Sequence, residues 1–416
     1  MDGPELTHQT LANGSRCVFA PLPDAGLTCI DFWCRAGSAF EQPGEEGLAH
    51  FLEHMVFKGS EHLRAGEFDL KVEALGGSSN AATGFDDVHF HVLVPPEGAS
   101  TALELLLDLV LEPALRDDAF RMEREVVLEE IAQYRDQPDE VVVQQLLAAC
   151  CSNHPYGRPI LGWEQSLNAS TPETMAQFHR RRYRGPNCSV VVAGAIPDGL
   201  QSDLTQGRLA QLDGPGEATK DHPPELRFQT GRECMYVERL EAARLLMAWP
   251  AASADQQRTV MGYDLATTLL AEGRRSRLVD RLREDLQLVE SIDMDLTTLE
   301  RGSLVMLEAC CAPEHIEDVE QEVKSILEKA ASSPASEEEL ERGRQLVGNG
   351  LRFSLEAPGS VAALTGPQAL WRTPQHPLAS IDDLEAWTAH DLQAEIFNQM
   401  QPEQAYTLIA LPGNEN

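Results

Sequence analysis

A chain of 416 residues, 42% of them apolar, is too long for one ordinary hydrophobic core and predicts two or more domains. Its 33 basic and 67 acidic side chains give a net charge of −34, which argues against a nucleic acid partner because phosphate backbones would be repelled. The charged fraction of 24% is ordinary and excludes a wholly disordered or fibrous protein, so we interpret the acidity chiefly as a source of solubility.

The amino-terminal residues, MDGPELTHQT, have neither a basic start nor an apolar run, and therefore predict no secretory signal. No apolar stretch approaches the roughly 20 residues that span a bilayer, so we expect no membrane span. Nine cysteines at irregular spacings, with adjacent pairs at 150–151 and 310–311, indicate buried free thiols rather than a disulfide framework. Together these features predict a cytoplasmic protein.

The first half of the chain has the pattern of two strands, a loop at 37–47, and then a helix. This helix begins near Gly47, because the apolar residues that follow recur at helical spacing, and Gly59 is well placed to end it. The other predicted elements of this half are strands at 15–20, 27–36, 79–82, 88–94 and 189–195, and helices at 65–75, 101–111, 117–134, 138–150 and 172–183.

The second half begins after residues 207–225, which are polar and rich in Gly and Pro and are therefore predicted to be a linker. Its predicted elements are strands at 234–238, 244–249, 304–311 and 405–410, and helices at 256–272, 275–285 and 315–331. This order repeats that of the first half over roughly 200 residues. We therefore predict an α+β fold with two structurally similar halves, residues 1–206 and 226–416, each a mainly antiparallel sheet with helices packed on it.

The strongest local motif is HFLEH at residues 50–54. Residues four apart lie on one face of a helix, so His50 and His54 could bind one ion, and imidazole is a good zinc ligand. Glu53 precedes the second histidine and can reach the site without ligating the ion. That position suits a general base that takes a proton from water in a hydrolytic zinc site.

A catalytic zinc usually has three protein ligands, so a third ligand is expected elsewhere in the chain. Glu123 and Glu130 are seven residues apart on the predicted helix 117–134 and share a face. One could ligate while the other supports the site, although helical glutamates are more often solvated. Spacing alone does not choose between Glu123, Glu129 and Glu130.

The wider sequence resembles the pitrilysin-type zinc metallopeptidases, or inverzincins, and especially the β-subunit of the mitochondrial processing peptidase and its bacterial relatives. The matching stretches, in the family's order, are GLAHFLEHMVFKGS, GGSSNAATG, RMEREVVLEEIAQY and YGRPILG. The resemblance implies one Zn²⁺ per chain, bound by His50, His54 and, 76 residues further on, Glu130. It also implies that Glu53 is the catalytic base and that Glu123 supports the site.

The resemblance further implies that a substrate peptide adds a strand beside the NAxT segment, at Asn80, Ala81 and Thr83. In the second half, Arg283 matches an arginine that contacts substrate in the family. The tyrosine expected seven residues later is replaced by Glu290, which cannot donate the same neutral hydrogen bond. The catalytic subunit of the processing peptidase similarly lacks a full arginine–tyrosine pair and takes it from a partner subunit. We therefore expect a dimer. A heterodimer with a related, non-catalytic subunit is the hypothesis, and a homodimer is the alternative.

The function predicted from these features is a zinc-dependent endopeptidase that hydrolyses unfolded peptides or presequence-like segments inside an enclosed chamber. The first half would carry the zinc site, and the non-catalytic second half would contact substrate and partner. One alternative is a non-catalytic assembly subunit, similar to the core proteins of respiratory complex III, and another is a peptide-binding module. His89 and His91 alternate along one strand; a second metal site is conceivable there, but we favour ordinary packing.

Overall fold

The computed structural model describes residues 3–217, 221–371 and 374–413. Its contacts divide the chain into two compact units, each built from three stretches of sequence. The first unit comprises Met1–Ala132, Pro159–Pro223 and Arg352–Leu378. The second unit comprises Gln133–Arg158, Pro224–Leu351 and Ala379–Asn416.

The first unit contains a six-stranded sheet with the order β1-β2-β6-β3-β5-β4. Its strands are β1 (Thr7–Thr10), β2 (Arg16–Pro21), β3 (Thr28–Cys34), β4 (Ser78–Thr83), β5 (Val88–Val94) and β6 (Cys188–Gly194). The β2–β6 pair is parallel, and the other pairs are antiparallel. In this order β4 is an edge strand that pairs with β5 alone.

The second unit contains a five-stranded sheet with the order β7-β11-β8-β10-β9. Its strands are β7 (Gly231–Val237), β8 (Ala243–Ala251), β9 (Val289–Thr297), β10 (Ser303–Cys311) and β11 (Tyr406–Pro412). The β7–β11 pair is parallel and the rest are antiparallel. This order repeats that of β2 to β6, so the predicted α+β fold with two similar halves is confirmed.

The α-helices in chain order are α1 (Leu48–Val56), α2 (Glu67–Ala74), α3 (Ala99–Leu111), α4 (Asp117–Arg135), α5 (Pro138–Cys150), α6 (Glu164–Ala169), α7 (Pro172–Arg182), α8 (Leu200–Gln206), α9 (Arg208–Gln211), α10 (Gln257–Ala271), α11 (Ile316–Ser332), α12 (Glu337–Phe353), α13 (Pro358–Trp371), α14 (Ala379–Glu385) and α15 (Ala389–Asp391). The predicted helix at 275–285 is instead a π-helical segment over Val279–Asp285. In the described part of the chain, no helix has the length and apolarity to cross a membrane.

Both faces of the first sheet are covered. On one face, Phe32 and Phe90 belong to the same buried cluster as Phe51 and Leu52 of α1. On the other face, Trp33 packs with the buried residues of α13. Gly366 allows this approach, because a Cβ there would lie 2.1 Å from Trp33 Nε1. α13 is thus an integral part of the first unit, although it comes late in the chain.

The predicted domain bounds of 1–206 and 226–416 are continuous stretches, whereas the compact units are not. Residues 133–158, with α5, belong to the second unit, where α5 packs on β11 and β8. Residues 352–378, with α13, belong to the first. Within the predicted linker, residues 218–220 lie outside the described residues, while Arg208–Gln211 forms a short helix whose Leu209 is buried in the first core.

Candidate metal centre

Helix α1 fixes the polar side chains of the HFLEH motif because its opposite face is firmly buried. Its apolar residues Leu48, Phe51, Leu52, Met55 and Val56 all lie in the first core. At its start, Gly47 has a φ of 91° and approaches Leu161 so closely that a Cβ would lie 2.4 Å from the Leu161 carbonyl oxygen. His50, Glu53 and His54 remain partly accessible on the other face.

Glu130 is the glutamate that the structure brings to both histidines. Its Oε1 lies 3.8 Å from His50 Nε2, and its Oε2 lies 3.4 Å from His54 Nε2. The candidate ligand atoms of the three residues all lie within 4.8 Å of one another. Glu129, the neighbouring alternative on α4, is exposed. Two helices far apart in sequence thus converge on one group of two imidazoles and one carboxylate.

Glu123 lies behind this group and contacts His54 from the other side of its ring. Its Oε1 is 3.0 Å from His54 Nδ1, and its Oε2 is 2.7 Å from Lys58 Nζ. Because a carboxylate accepts hydrogen bonds, this contact suits the tautomer of His54 with its proton on Nδ1, which would leave Nε2 available on the side of Glu130. Lys58 was not predicted from sequence; it lies in the turn directly after α1.

His50 is held as a neutral ring. Burial, and secondarily the neighbouring His54, lower the pKa of His50 to about 4. Its Nδ1 is buried and has no hydrogen-bond partner among the described residues. Neutral imidazole nitrogens and a carboxylate are the donors that zinc prefers, so these residues fit a zinc ion.

Glu53 lies beside the three candidate ligands and accepts a hydrogen bond from Thr83 Oγ1 at 2.5 Å. Burial raises the pKa of the Glu53 carboxyl group, although the Thr83 hydrogen bond and His54 act in the opposite direction. A carboxyl group shifted in this direction holds a proton more readily at neutral pH. Such a group is suited to accepting a proton and donating it again.

Thr83 belongs to edge strand β4, which also carries Asn80 and Ala81. The Asn80 side chain accepts a hydrogen bond from the Ala81 backbone N–H at 3.0 Å. No strand of the described part of the chain pairs with the outer edge of β4. Asn80, Ala81 and Thr83 therefore lie on an unpaired edge strand, and Thr83 links that strand to Glu53.

Arg283 lies in the second unit, in the π-helical segment Val279–Asp285, and pairs with Glu284 at 2.9 Å. Glu290 is exposed in β9, and its carboxylate is 3.8 Å from Cys310 Sγ. The role predicted for Arg283 stays a prediction. Among residues 3–217, 221–371 and 374–413, clusters of three candidate metal ligands occur in the first unit and not in the second.

Comparison with known proteins gives two family matches that follow one another along the chain. Residues 25–164 match the family described as Insulinase (Peptidase family M16), and residues 170–347 match the Peptidase M16 inactive domain. An uncharacterized zinc protease of Bacillus subtilis is 27% identical over 415 residues, which cover 98% of this chain and 99% of the relative. One from Mycobacterium leprae is 28% identical, covering 94% and 89%.

Solved structures show the same fold at lower sequence identity. A protease from Helicobacter pylori superposes with a TM-score of 0.91 at 24% identity, covering 99% of this chain and all of the other. A putative M16-like peptidase from Alicyclobacillus acidocaldarius has a TM-score of 0.85 at 21% identity, covering 99% of both chains. The α+β fold with two similar halves is therefore shared with these proteins.

Proposed function

Because this chain belongs to the M16 family of peptidases, in which similar proteins are named zinc proteases, we propose that it is a zinc-dependent endopeptidase. One observation carries the proposal: His50, His54 and Glu130 converge from two helices while Glu53 lies beside them. A scaffold protein would not need these four groups together. The proposed metal content is one catalytic zinc per chain.

His50, His54 and Glu130 are the residues that would hold the zinc, and Glu123 would orient His54 through its Nδ1–H. Bound zinc supplies Lewis acidity, polarising a carbonyl group and lowering the pKa of water toward about 7. Lys58 Nζ lies 2.7 Å from Glu123 Oε2 and would balance the charge of that carboxylate. In this arrangement His54 would ligate through Nε2, the nitrogen on the side of Glu130.

Glu53 is the proposed general base. It would take a proton from the attacking water and deliver that proton to the leaving amine, so hydrolysis proceeds without a covalent intermediate. Its carboxyl pKa is raised by burial, which favours this proton shuttle at neutral pH. The Thr83 hydroxyl holds one carboxylate oxygen and so fixes the direction in which the other can act.

The proposed substrate is an unfolded peptide or presequence-like segment that pairs its backbone with the free edge of β4, near Asn80, Ala81 and Thr83. Backbone pairing gives affinity with little demand on sequence. The net charge of −34 would favour basic peptides. Enclosure of the substrate in a chamber, as the resemblance implies, would exclude folded proteins.

We also propose a dimer, and specifically a heterodimer with a related non-catalytic subunit. The support is the sequence departure at Glu290, which leaves Arg283 without the tyrosine that accompanies it in self-sufficient relatives. In this proposal residues 226–416 contact substrate and partner. A purified chain that cleaved peptides at full efficiency, with no second polypeptide present, would exclude the heterodimer.

The central experiment measures zinc content and peptide cleavage on the same preparation. We expect a catalytic zinc in the wild-type chain, cleavage of an unstructured basic peptide, loss of cleavage after chelation and its return on adding Zn²⁺. If the chain lacks activity alone, the assay is repeated with the related non-catalytic subunit of its source. Zinc binding without cleavage under both conditions would favour the assembly-subunit alternative.

A further inference from the structure

A second group of candidate ligands lies on the sheet face covered by α13. Strands β3 and β5 are neighbours, and their register places Asp31 opposite His91 and Trp33 opposite His89. Because side chains alternate along a strand, Asp31, Trp33, His89 and His91 share one face. Phe32 and Phe90 alternate with them on the face of α1. This second group therefore shares no residue with the candidate catalytic centre.

The geometry of the group is that of a compact ligand set. Candidate ligand atoms of Asp31, His89 and His91 lie within 4.8 Å of one another. Asp31 Oδ1 is 3.0 Å from His89 Nδ1, and the Asp31 side chain is only 2% exposed. The rings of His89 and His91 are stacked, with centroids 5.7 Å apart. Trp33 stacks on His89 at 4.2 Å and holds that ring in its plane.

The hydrogen bonding of the group is incomplete. A carboxylate can accept about four hydrogen bonds, yet His89 is the only side chain in the described part of the chain that bonds to the Asp31 carboxylate. The ring nitrogens of His91 make no hydrogen bond to any described residue. Asp31 is buried while His89 and His91 are partly exposed, so the unused Asp31 lone pairs and the His91 ring nitrogens are available to a ligand.

A third cluster in the same unit provides a contrast. His62, Asp108 and Glu112 also lie close together, but Arg208 already neutralises them, at 2.9 Å from Asp108 and 3.0 Å from Glu112. Around Asp31 no lysine or arginine forms an ion pair within the described ranges. Its ionisable partner among the described residues is His89, a side chain that can itself ligate a metal ion, and buried carboxylates are normally paired or bound to a metal.

We propose that Asp31, His89 and His91 form a second site for a divalent transition-metal ion of the zinc class. Two imidazoles and one carboxylate bind such ions well, and Ca²⁺ or Mg²⁺ would instead require mostly oxygen ligands. The ion would link β3 to β5, directly behind the edge strand: Asn80 and Ala82 of β4 pair with His91 and His89. The site would thus brace the strand on which a substrate is proposed to bind.

The test is the metal stoichiometry of the full-length protein after loading with Zn²⁺ and removal of loosely bound ions. Wild type should retain two zinc ions per chain. His91→Ala should retain one, the double variant His50→Ala/His54→Ala should retain one, and the triple variant should retain none. His8→Ala, which changes an exposed histidine of β1, is the matched control and should retain two. Near-UV circular dichroism verifies that each variant is folded.

The pattern of losses separates the two sites. If His91→Ala retains as much zinc as wild type, or if His50→Ala/His54→Ala retains none, the second site does not exist. If wild type binds one ion that is lost in His91→Ala but kept in His50→Ala/His54→Ala, the second site stands and the proposed catalytic centre fails.

A second measurement is independent of how the variants fold. Crystals of the wild-type protein containing Zn²⁺ should show an anomalous-difference peak roughly 2.0–2.2 Å from atoms of Asp31, His89 and His91. A map with a peak at His50, His54 and Glu130 but none at Asp31 would overturn the second site.

Discussion

The two units of the molecule share a strand order but differ in the helix that follows their first strands. In the first unit, α1 carries His50, Glu53 and His54 on its accessible face. In the second, α10 has no histidine and instead carries Asp264 beside a small polar cavity. The comparison shows that the shared strand order does not by itself determine which side chains the following helix carries. What differs between the units is the set of side chains on this helix, which in the first unit includes His50, Glu53 and His54.

The largest expected effect is loss of turnover in Glu53→Gln. The amide keeps the shape of the side chain but cannot accept the proton, so kcat should fall by a factor on the order of 100 to 10,000. Zinc content should remain at the wild-type level. Peptide hydrolysis and metal analysis on one sample measure both quantities.

Glu129→Gln is the matched control, because Glu129 is an exposed glutamate on α4 next to a proposed ligand. It should retain wild-type turnover. Normal turnover in Glu53→Gln would show that catalysis does not depend on this residue of α1. The proposed functional difference between α1 and α10 would then be wrong.

The next effect concerns Glu123, which contacts the proposed zinc ligand His54. Glu123→Gln removes the charge of the side chain that contacts His54 Nδ1, and zinc affinity should fall roughly 10- to 100-fold. Competition with a chromogenic chelator measures this change. Unaltered affinity would mean that the His54 orientation is set by packing of α1 alone.

Each unit has a helix glycine in close contact with a tryptophan, so the same substitution can be compared in both units. A Cβ at Gly366 would lie 2.1 Å from Trp33 Nε1, and one at Gly262 would lie 2.5 Å from Trp387 Cζ2. Gly366→Ala and Gly262→Ala should each lower the free energy of unfolding by about 1–3 kcal/mol, because a tryptophan must move.

Gly359→Ala in α13 and Gly350→Ala in α12 are matched controls, since a Cβ at either position meets no atom within 4 Å. Urea unfolding should find these variants unchanged or slightly more stable, as expected for alanine in a helix. Equal stability of all four variants would show that the helix–tryptophan contacts are adaptable.

The smallest expected effect is a pH-dependent change in the free energy of unfolding, caused by Asp264 in the second unit. Burial, with Glu272 adding to it, raises the pKa of Asp264 to about 6, above the value near 3.9 of an unfolded chain. The protonated native form is therefore favoured at low pH, and this stability is lost as pH rises through about 6. Asp264→Asn should be more stable than wild type by roughly 1–2 kcal/mol at pH 7.5 and similar to it at pH 4.

Urea unfolding at the two pH values measures this difference. Asp280→Asn, at an exposed position of the same unit, should show no such pH-dependent gain. A gain for Asp264→Asn that is identical at pH 4 and pH 7.5 would exclude titration of Asp264 as its cause.

The elements with strong local signals could be predicted, and those with mixed signals could not. α1, β5 and α5 agree closely with expectation because their apolar spacing or proline start is unambiguous. Strand β9 was not predicted, since its acids weaken its strand propensity. No helix was predicted at α13, because Pro367 and glycines interrupt its pattern.

The residues of the candidate site likewise fall into those that local spacing could predict and those that it could not. His50 and His54 are one helical turn apart, so their association is local and could be predicted. Glu130 could be chosen only by resemblance, because the rotation of α4 depends on tertiary contacts such as Phe120 against Phe51, at 4.6 Å. Asp31 joins His89 across a strand pair 58 residues apart in the chain, a proximity that one-dimensional spacing does not contain.

The late position of α13 has a consequence for synthesis. Pro358, where this helix begins, follows Gly194 at the end of β6 by 164 positions. A nascent chain therefore exposes the Trp33 face of its first sheet until α13 (Pro358–Trp371) has been synthesised. Ribosome stalling or truncation before that point would release a product with an uncovered apolar face, which is a substrate for chaperones and proteases.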